Sequence, residues 1–194
     1  MKVLVAFASA NGSTESIARA IGDRLTARGC NVVLGPVGDM RSVIAATTSA
    51  GSNEGERVAF DAAVVGSAVH SGRWLPEATA FVREAATSLE NHPVWLFSVC
   101  SIGETTSFLG ERISRFTRAR RRDSKELADL RRVTSCRDHR YFAGVVKKGQ
   151  WNRFGDLFLL LAGGHHGDQR DWTDIDQWAN HIADQLTSDP TRPK

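Results

Sequence analysis

The feature that most constrains this chain is a repeating contrast between short apolar runs and longer amphipathic stretches. Val3–Ala8, Asn31–Leu34, Ala62–Val65, Val94–Val99 and Tyr141–Val146 read as five strands. They are near-continuous in apolar residues rather than alternating, as strands covered on both faces should be. Ile17, Ile21 and Leu25 recur every four residues, which predicts a helix over 14–28 with one buried face, ended at Gly29. Pro76 opens another helix, with Phe81, Val82, Ala85 and Leu89 on its apolar side. A last helix is expected from Thr173, with Asp176 placed as a capping-box acid and Ile175, Trp178, Ala179, Ile182 and Leu186 facing inward. Apolar strands alternating with amphipathic helices predict an α/β domain on a parallel sheet with helices on both faces.

The chain has 194 residues, enough for one buried core, and a single domain is expected over residues 1–188 with 189–194 as a flexible tail. Residues 45–57 are small and polar and read as a loop. No apolar run approaches the length that spans a bilayer, and no signal-peptide pattern follows Met1-Lys2. The expected location is the cytoplasm, with peripheral contact at the inner face of the membrane as a further option. Cys30, Cys100 and Cys136 match no zinc or C-x-x-C spacing, and are expected as reduced thiols, at least two of them packed in the core. The formal net charge is +3, with much of the basic excess between Arg112 and Arg132.

Parallel sheets of this kind bind ligands beyond the carboxyl ends of their strands. Three loops therefore carry the candidate chemistry. The first is Ser9-Ala10-Asn11-Gly12-Ser13-Thr14, between the first strand and the first helix. Backbone N–H groups at a helix amino terminus lack intrahelical partners, and the helix dipole favours an anion there. A monophosphate ester would be held by these groups and by the Ser9, Ser13 and Thr14 hydroxyls, on neutral donors alone. Ser, Thr and Asn are equally the residues of an ordinary capped helix start. The loop is neither a G-x-G-x-x-G fingerprint nor a Walker P-loop, which disfavours NAD and ATP.

Here the chain resembles the flavodoxin superfamily, whose loop of the form [ST]-x-T-G-x-T wraps the phosphate of FMN. Asn11 stands where that pattern has its third-position Thr. The resemblance implies a flavodoxin-like doubly wound sheet of five parallel strands in the order 2-1-3-4-5, with FMN as cofactor; residues 106–133 read as a long, charged helical insertion between strands four and five. The resemblance also implies that the loop after strand three, containing Ser67, Ala68, Val69, His70, Gly72, Arg73 and Trp74, runs along one face of the flavin ring. Trp74 either stacks on that ring or packs at the start of the next helix. Arg73, about 5 Å from a reduced anionic flavin, would favour it by about 3 kcal/mol at an effective dielectric of 20; a solvated surface arginine is the other reading. His70 is either a hydrogen-bonding partner of the ring or an ordinary loop histidine. In the third loop, Ser98, Val99, Cys100, Ser101, Ile102 and Gly103 would meet the pyrimidine edge. Nothing near Cys100 in sequence lowers its pKa, so no catalytic thiolate is expected.

The insertion places Phe108, Leu109, Ile113 and Phe116 on one helical face, then Leu127, Leu130 and Val133 on another, around Arg118-Ala119-Arg120-Arg121-Arg122. Such a run is a solvated face, or a contact for anionic headgroups or an acidic partner or substrate. No aromatic platform interleaves the arginines, so no nucleic acid is expected. Residues 150–162 carry Trp151, Phe154, Leu157, Phe158 and Leu161 at helical spacing, and His165-His166-Gly167-Asp168 is a weak metal pattern, so no metal is expected. Phe142-Ala143-Gly144-Val145, the Trp/Phe-rich stretch, Gly163-Gly164, Asp171-Trp172 and the final helix resemble menaquinone-dependent protoporphyrinogen IX dehydrogenases. That resemblance implies an FMN-dependent oxidoreductase with a small-molecule substrate and a quinone or other redox partner. A flavodoxin-type carrier without its own substrate, and a non-enzymatic module on the same fold, are the competing readings.

Overall fold

The computed structural model describes residues 1–49, 60–89, 92–146 and 167–188. Strands β1 (Lys2–Ala8), β2 (Asn31–Pro36), β3 (Ala62–His70), β5 (Val94–Cys100) and β6 (Asp138–Ala143) form a parallel sheet in the order β2-β1-β3-β5-β6. This is the expected five-strand order, with one short strand, β4 (Arg73–Trp74), turning back antiparallel on the end of β3. Strands β7 (Val145–Val146) and β8 (Gly167–Asp168) pair separately. The helices are α1 (Ser13–Ala27), α2 (Val37–Ser49), α3 (Pro76–Glu84), α4 (Ala86–Leu89), α5 (Glu111–Arg120), α6 (Lys125–Val133) and α7 (Trp172–Ser188).

Side chains of β1 point alternately to two cores. Val3, Val5 and Phe7 pack with α1 and α7, while Leu4, Ala6 and Ala8 pack with α2, α3 and α6. That division is why β1 is apolar throughout. On the α1/α7 side Phe97 and Phe142 each meet Trp178 edge-on and each other at a tilt, with ring centroids 5.6–6.1 Å apart.

Several boundaries differ from expectation, each for a local reason. Helix α2 occupies 37–49, so the expected loop at 45–57 begins as helix; residues 50–59 lie outside the described set. Its buried residues, Val37, Met40 and Ile44, fall at the i, i+3, i+7 spacing of one helical face. Strand β3 continues five residues past Val65, because Ser71 and Gly72, both at positive φ, form a two-residue hairpin turn onto β4. Helix α7 starts at Trp172 and is capped by Asp171, whose carboxylate accepts the Asp174 N–H at 3.0 Å. Asp176 is no capping acid; Arg24 of α1 pairs with it. Ile113 and Phe116 do not share a buried face with Phe108: they are 41% and 57% exposed on α5, whereas Phe108 is buried against Val146 before the helix begins. Val133 is likewise exposed, unlike Leu127 and Leu130. All three cysteines are free and half-buried, at the margins of the cores rather than inside them. The stretch 150–162, Gly163-Gly164, His165-His166 and the tail 189–194 lie outside the described residues.

Gly66 on β3 pairs in register with Phe97 on β5, and a Cβ there would lie 1.9 Å from the Phe97 ring. That ring is fully buried and cannot move aside. Gly66→Ala is expected to destabilise the fold by about 1–3 kcal/mol through overpacking, read as a lower urea midpoint at unchanged m-value.

Candidate functional site

Strand β1 ends at Ala8, and the chain enters α1 through Gly12, which holds φ 85° at the N-cap position. Ser9 Oγ accepts the Gly12 N–H at 3.0 Å and so shapes the turn from below. No side chain caps the helix. The first intrahelical bond comes from Ser16 N–H to Gly12 O, which leaves the N–H groups of Ser13, Thr14 and Glu15 with no helical acceptor. Thr14 Oγ1 is buried with no hydrogen-bond partner. A buried, unpaired hydroxyl costs about 1–3 kcal/mol, so the loop is built for an acceptor that the protein itself does not provide. Ser13 Oγ is instead taken up as acceptor for the Val145 N–H at 3.1 Å, which draws the β6–β7 turn against the loop.

A cavity of about 200 Å³ opens above this turn. It brings together Ala10, Asn11, Ser13 and Thr14 of the first loop, Ala68, Val69 and His70 of the second, and Val99, Cys100 and Ser101 of the third. Phe108 and Gly144–Val146 complete its wall; the sequence reading did not place them there. A second cavity of about 400 Å³ adjoins it, sharing Val69, Cys100 and Ser101. The two together fall within the size range of small-ligand sites. Gly72, Trp74, Ser98 and Ile102 belong to the second cavity, whose far wall is Thr117, Arg121, Arg122, Ser124 and Leu127 of the insertion.

The remaining candidates do not face the first cavity. Ser67 is fully buried, donating to Ala68 O and accepting the Leu75 N–H, so it fixes the loop. Arg73 is exposed and lines neither cavity. Gly103 packs so closely that a Cβ would lie 2.5 Å from Ala143 N. Trp74 is 5% exposed, with its indole N–H on Ser98 Oγ at 2.7 Å. Its indole is thus packed beneath the hairpin while it also forms part of the wall of the second cavity.

A model of the flavodoxin domain matches residues 4–154. The chain belongs to the flavodoxin-domain family. No curated protein matches it. Among solved structures it is similar to oxidised flavodoxin 1 from Bacillus cereus at 12% identity and TM-score 0.56, over 96% of this chain and 99% of that one. A flavodoxin from the domain Archaea gives 15% identity and TM-score 0.55, over 96% and 99%. Rubredoxin oxygen:oxidoreductase from Desulfovibrio gigas gives 17% identity and TM-score 0.54; there this chain covers 96% of its own length but 36% of that protein. These likenesses carry the fold. Membership of the family indicates FMN, and the site fits its phosphate: an open helix amino terminus, a left-handed Gly12 and the partnerless Thr14 hydroxyl.

In this flavodoxin domain the second cavity rests on a buried polar chain. Trp74 donates to Ser98 Oγ, and that hydroxyl shares a second hydrogen bond with His139 Nε2 at 2.8 Å. Burial pushes the His139 pKa down to about 4, so the ring is neutral near pH 7. Beside it, Tyr141 donates to Asp123 at 2.9 Å, and burial raises the phenol pKa. Burial also works against the Asp123 charge, but hydrogen bonds from Arg131 and Tyr141 outweigh it and hold the carboxyl below its ordinary value. Burial raises the Cys100 pKa, and its thiol donates to Ile102 O, consistent with an unreactive neutral thiol. The sequence showed no cation in the first loop. In the fold Arg170 reaches the next turn of α1, donating to Ser16 Oγ at 2.6 Å while paired with Asp168.

Thr14→Val removes the unpaired hydroxyl at constant shape. The expected outcome is an apoprotein at least as stable as wild type in urea, with FMN affinity, followed by quenching of flavin fluorescence, weaker by roughly ten- to a hundredfold. His139 binds a proton less readily folded than unfolded. Its contribution is therefore complete above pH 6.5 and is lost as pH falls toward 4, by about 1.4 kcal/mol per pH unit. His139→Gln should show a flatter decline of unfolding free energy across that window than wild type.

Proposed function

We propose that this flavodoxin-domain protein is an FMN-dependent oxidoreductase that binds its own small-molecule substrate, rather than a carrier that docks only with other proteins. The observation that supports this most is the second cavity. It lies directly beside the cradle for the cofactor, and it owes its far wall to the α5–α6 insertion. A carrier needs an accessible ring edge, not an adjoining cavity. When bound, FMN supplies a two-electron acceptor next to that space. The chain's own groups do the rest: Ser98 and Tyr141 offer fixed polar atoms, Leu127 and Val69 exclude water, and Arg121 and Arg122 favour an anionic substrate.

Protoporphyrinogen IX, with its two carboxylates, or a similar substrate, fits this description, with a quinone as acceptor. The acceptor side has its own surface. Residues 106–133 carry net charge +5 against −2 for the rest of the chain. Ile113 and Phe116 stand exposed among Arg112, Arg115 and Arg120, with Arg120 stacked on the Phe116 ring at 4.1 Å. A cationic helix with exposed apolar residues suits an anionic bilayer, where quinones reside. No helix among the described residues is long and apolar enough to cross a membrane.

The test is turnover of protoporphyrinogen IX by the FMN-loaded protein with a menaquinone analogue, supplied either in water or in anionic vesicles. Turnover is expected with both. Ile113→Ser/Phe116→Ser should raise KM for the vesicle-borne quinone alone. Absence of turnover, with fast electron exchange to a protein partner, would favour the carrier. Failure to bind FMN would favour the non-enzymatic module.

A further inference from the structure

The arginine run at the end of α5 does not behave as one solvated face. Arg120 turns outward onto Phe116, but Arg118 donates through Nε to Gly103 O at 2.8 Å, and Arg121 donates through Nη2 to Ile102 O. Helix α5 ends at Arg120, and Arg121 adopts an extended backbone (φ −60°, ψ 131°). That change of direction carries its side chain inward, to 16% exposure. The guanidinium lies over the Tyr141 ring at 4.2 Å from the centroid. Its other terminal nitrogen, Nη1, is buried without a hydrogen-bond partner; the Glu104 carboxylate stands 3.6 Å away and is 40% exposed.

Arg121 thus has a stacked face, one nitrogen bonded to a carbonyl, and one that makes no hydrogen bond and is held only by the long ion pair with half-exposed Glu104, and the residue lines the second cavity. Among the described residues lining that cavity only Arg121 and Arg122 are charged, and no carboxylate joins them. The nearby Asp123 is engaged by Tyr141 and Arg131. Val69, Trp74, Ile102 and Leu127 give the remaining surface apolar patches, set among serine, threonine and tyrosine side chains. A planar cation, half-paired, at the wall of such a space is suited to a carboxylate on an apolar body. The hydrogen bond to Ile102 O gives Arg121 a second consequence: Ile102 follows Cys100 and Ser101, which border both cavities.

We propose that Arg121 is the carboxylate-receiving group of the second cavity, and that through Ile102 it transmits occupancy of that cavity to the loop bordering the cofactor cradle. This deepens the oxidoreductase reading, since it rests on the second cavity being the substrate's.

The probe is 3-phenylpropionate, compared with its uncharged amide, on the FMN-loaded protein. Calorimetry should show saturable binding of the acid and roughly tenfold or weaker binding of the amide. The acid should also shift the visible absorption band of the bound flavin. Arg121→Gln should lose roughly tenfold in acid affinity and lose the spectral shift. Arg121→Lys, which keeps the charge without the fork, should fall between, and Arg112→Gln on the exposed side of α5 should match wild type. Equal binding of acid and amide by the unaltered protein would overturn the proposal without any variant, as would undiminished acid binding by Arg121→Gln. If the chain binds no FMN but the apoprotein still prefers the acid through Arg121, the oxidoreductase reading fails and the anion site stands.

Discussion

Everything at the functional end depends on the burial of β1 on both faces. Covering both faces of β1 takes helices on each side, and the chain supplies them as crossovers, α1 toward one core and α2 and α3 toward the other, so that each long strand re-enters the sheet in parallel. All five long strands then release their loops at one edge. The helix that follows β1 presents its unpaired N–H groups at that same edge, and Gly12 lets the chain enter α1 without a side-chain cap filling the space. Core packing and an open anion site are therefore two results of one topological requirement.

The insertion alters what this arrangement can do. Arg118 and Arg121 hold the carbonyls of Gly103 and Ile102, so the third loop is braced from outside by an element the basic fold does not need. Bracing from the far side leaves the loop's inner surface for a ligand. Tyr141, Asp123 and Arg131 join β6 to the insertion in the same way, tying the floor of the second cavity to its wall.

How much of this was legible in the sequence varied with physical cause. The strands at Val3–Ala8 and Val94–Val99 were plain, because complete burial demands uniform apolarity. The three loops were located by topology alone, and the first cavity gathers residues from each of them. Helix α2 went unread although Val37, Met40 and Ile44 stand at helical spacing, because its second half, from Ala45, is small and polar like a loop. Trp74 stood undecided, since its partner Ser98 is 24 positions away. The same applies to His139 and Arg170, whose partners Ser98 and Ser16 lie far off along the chain. The arginine run was conspicuous, but the direction of each member was not. Helix α5 ends at Arg120, which faces solvent, and the extended backbone of Arg121 itself turns that next side chain toward the cavity.

The anchoring of Trp74 sets how the site can adapt. Its indole is pinned to β5 through Ser98, so the β3–β4 hairpin cannot swing from its base. The turn beyond it, Ser71-Gly72, stands exposed at the rim of the second cavity. Chains sharing this scaffold would accordingly diverge in ligand choice by rewriting the hairpin tip and the insertion, while the depth of the hollow beneath stays constant.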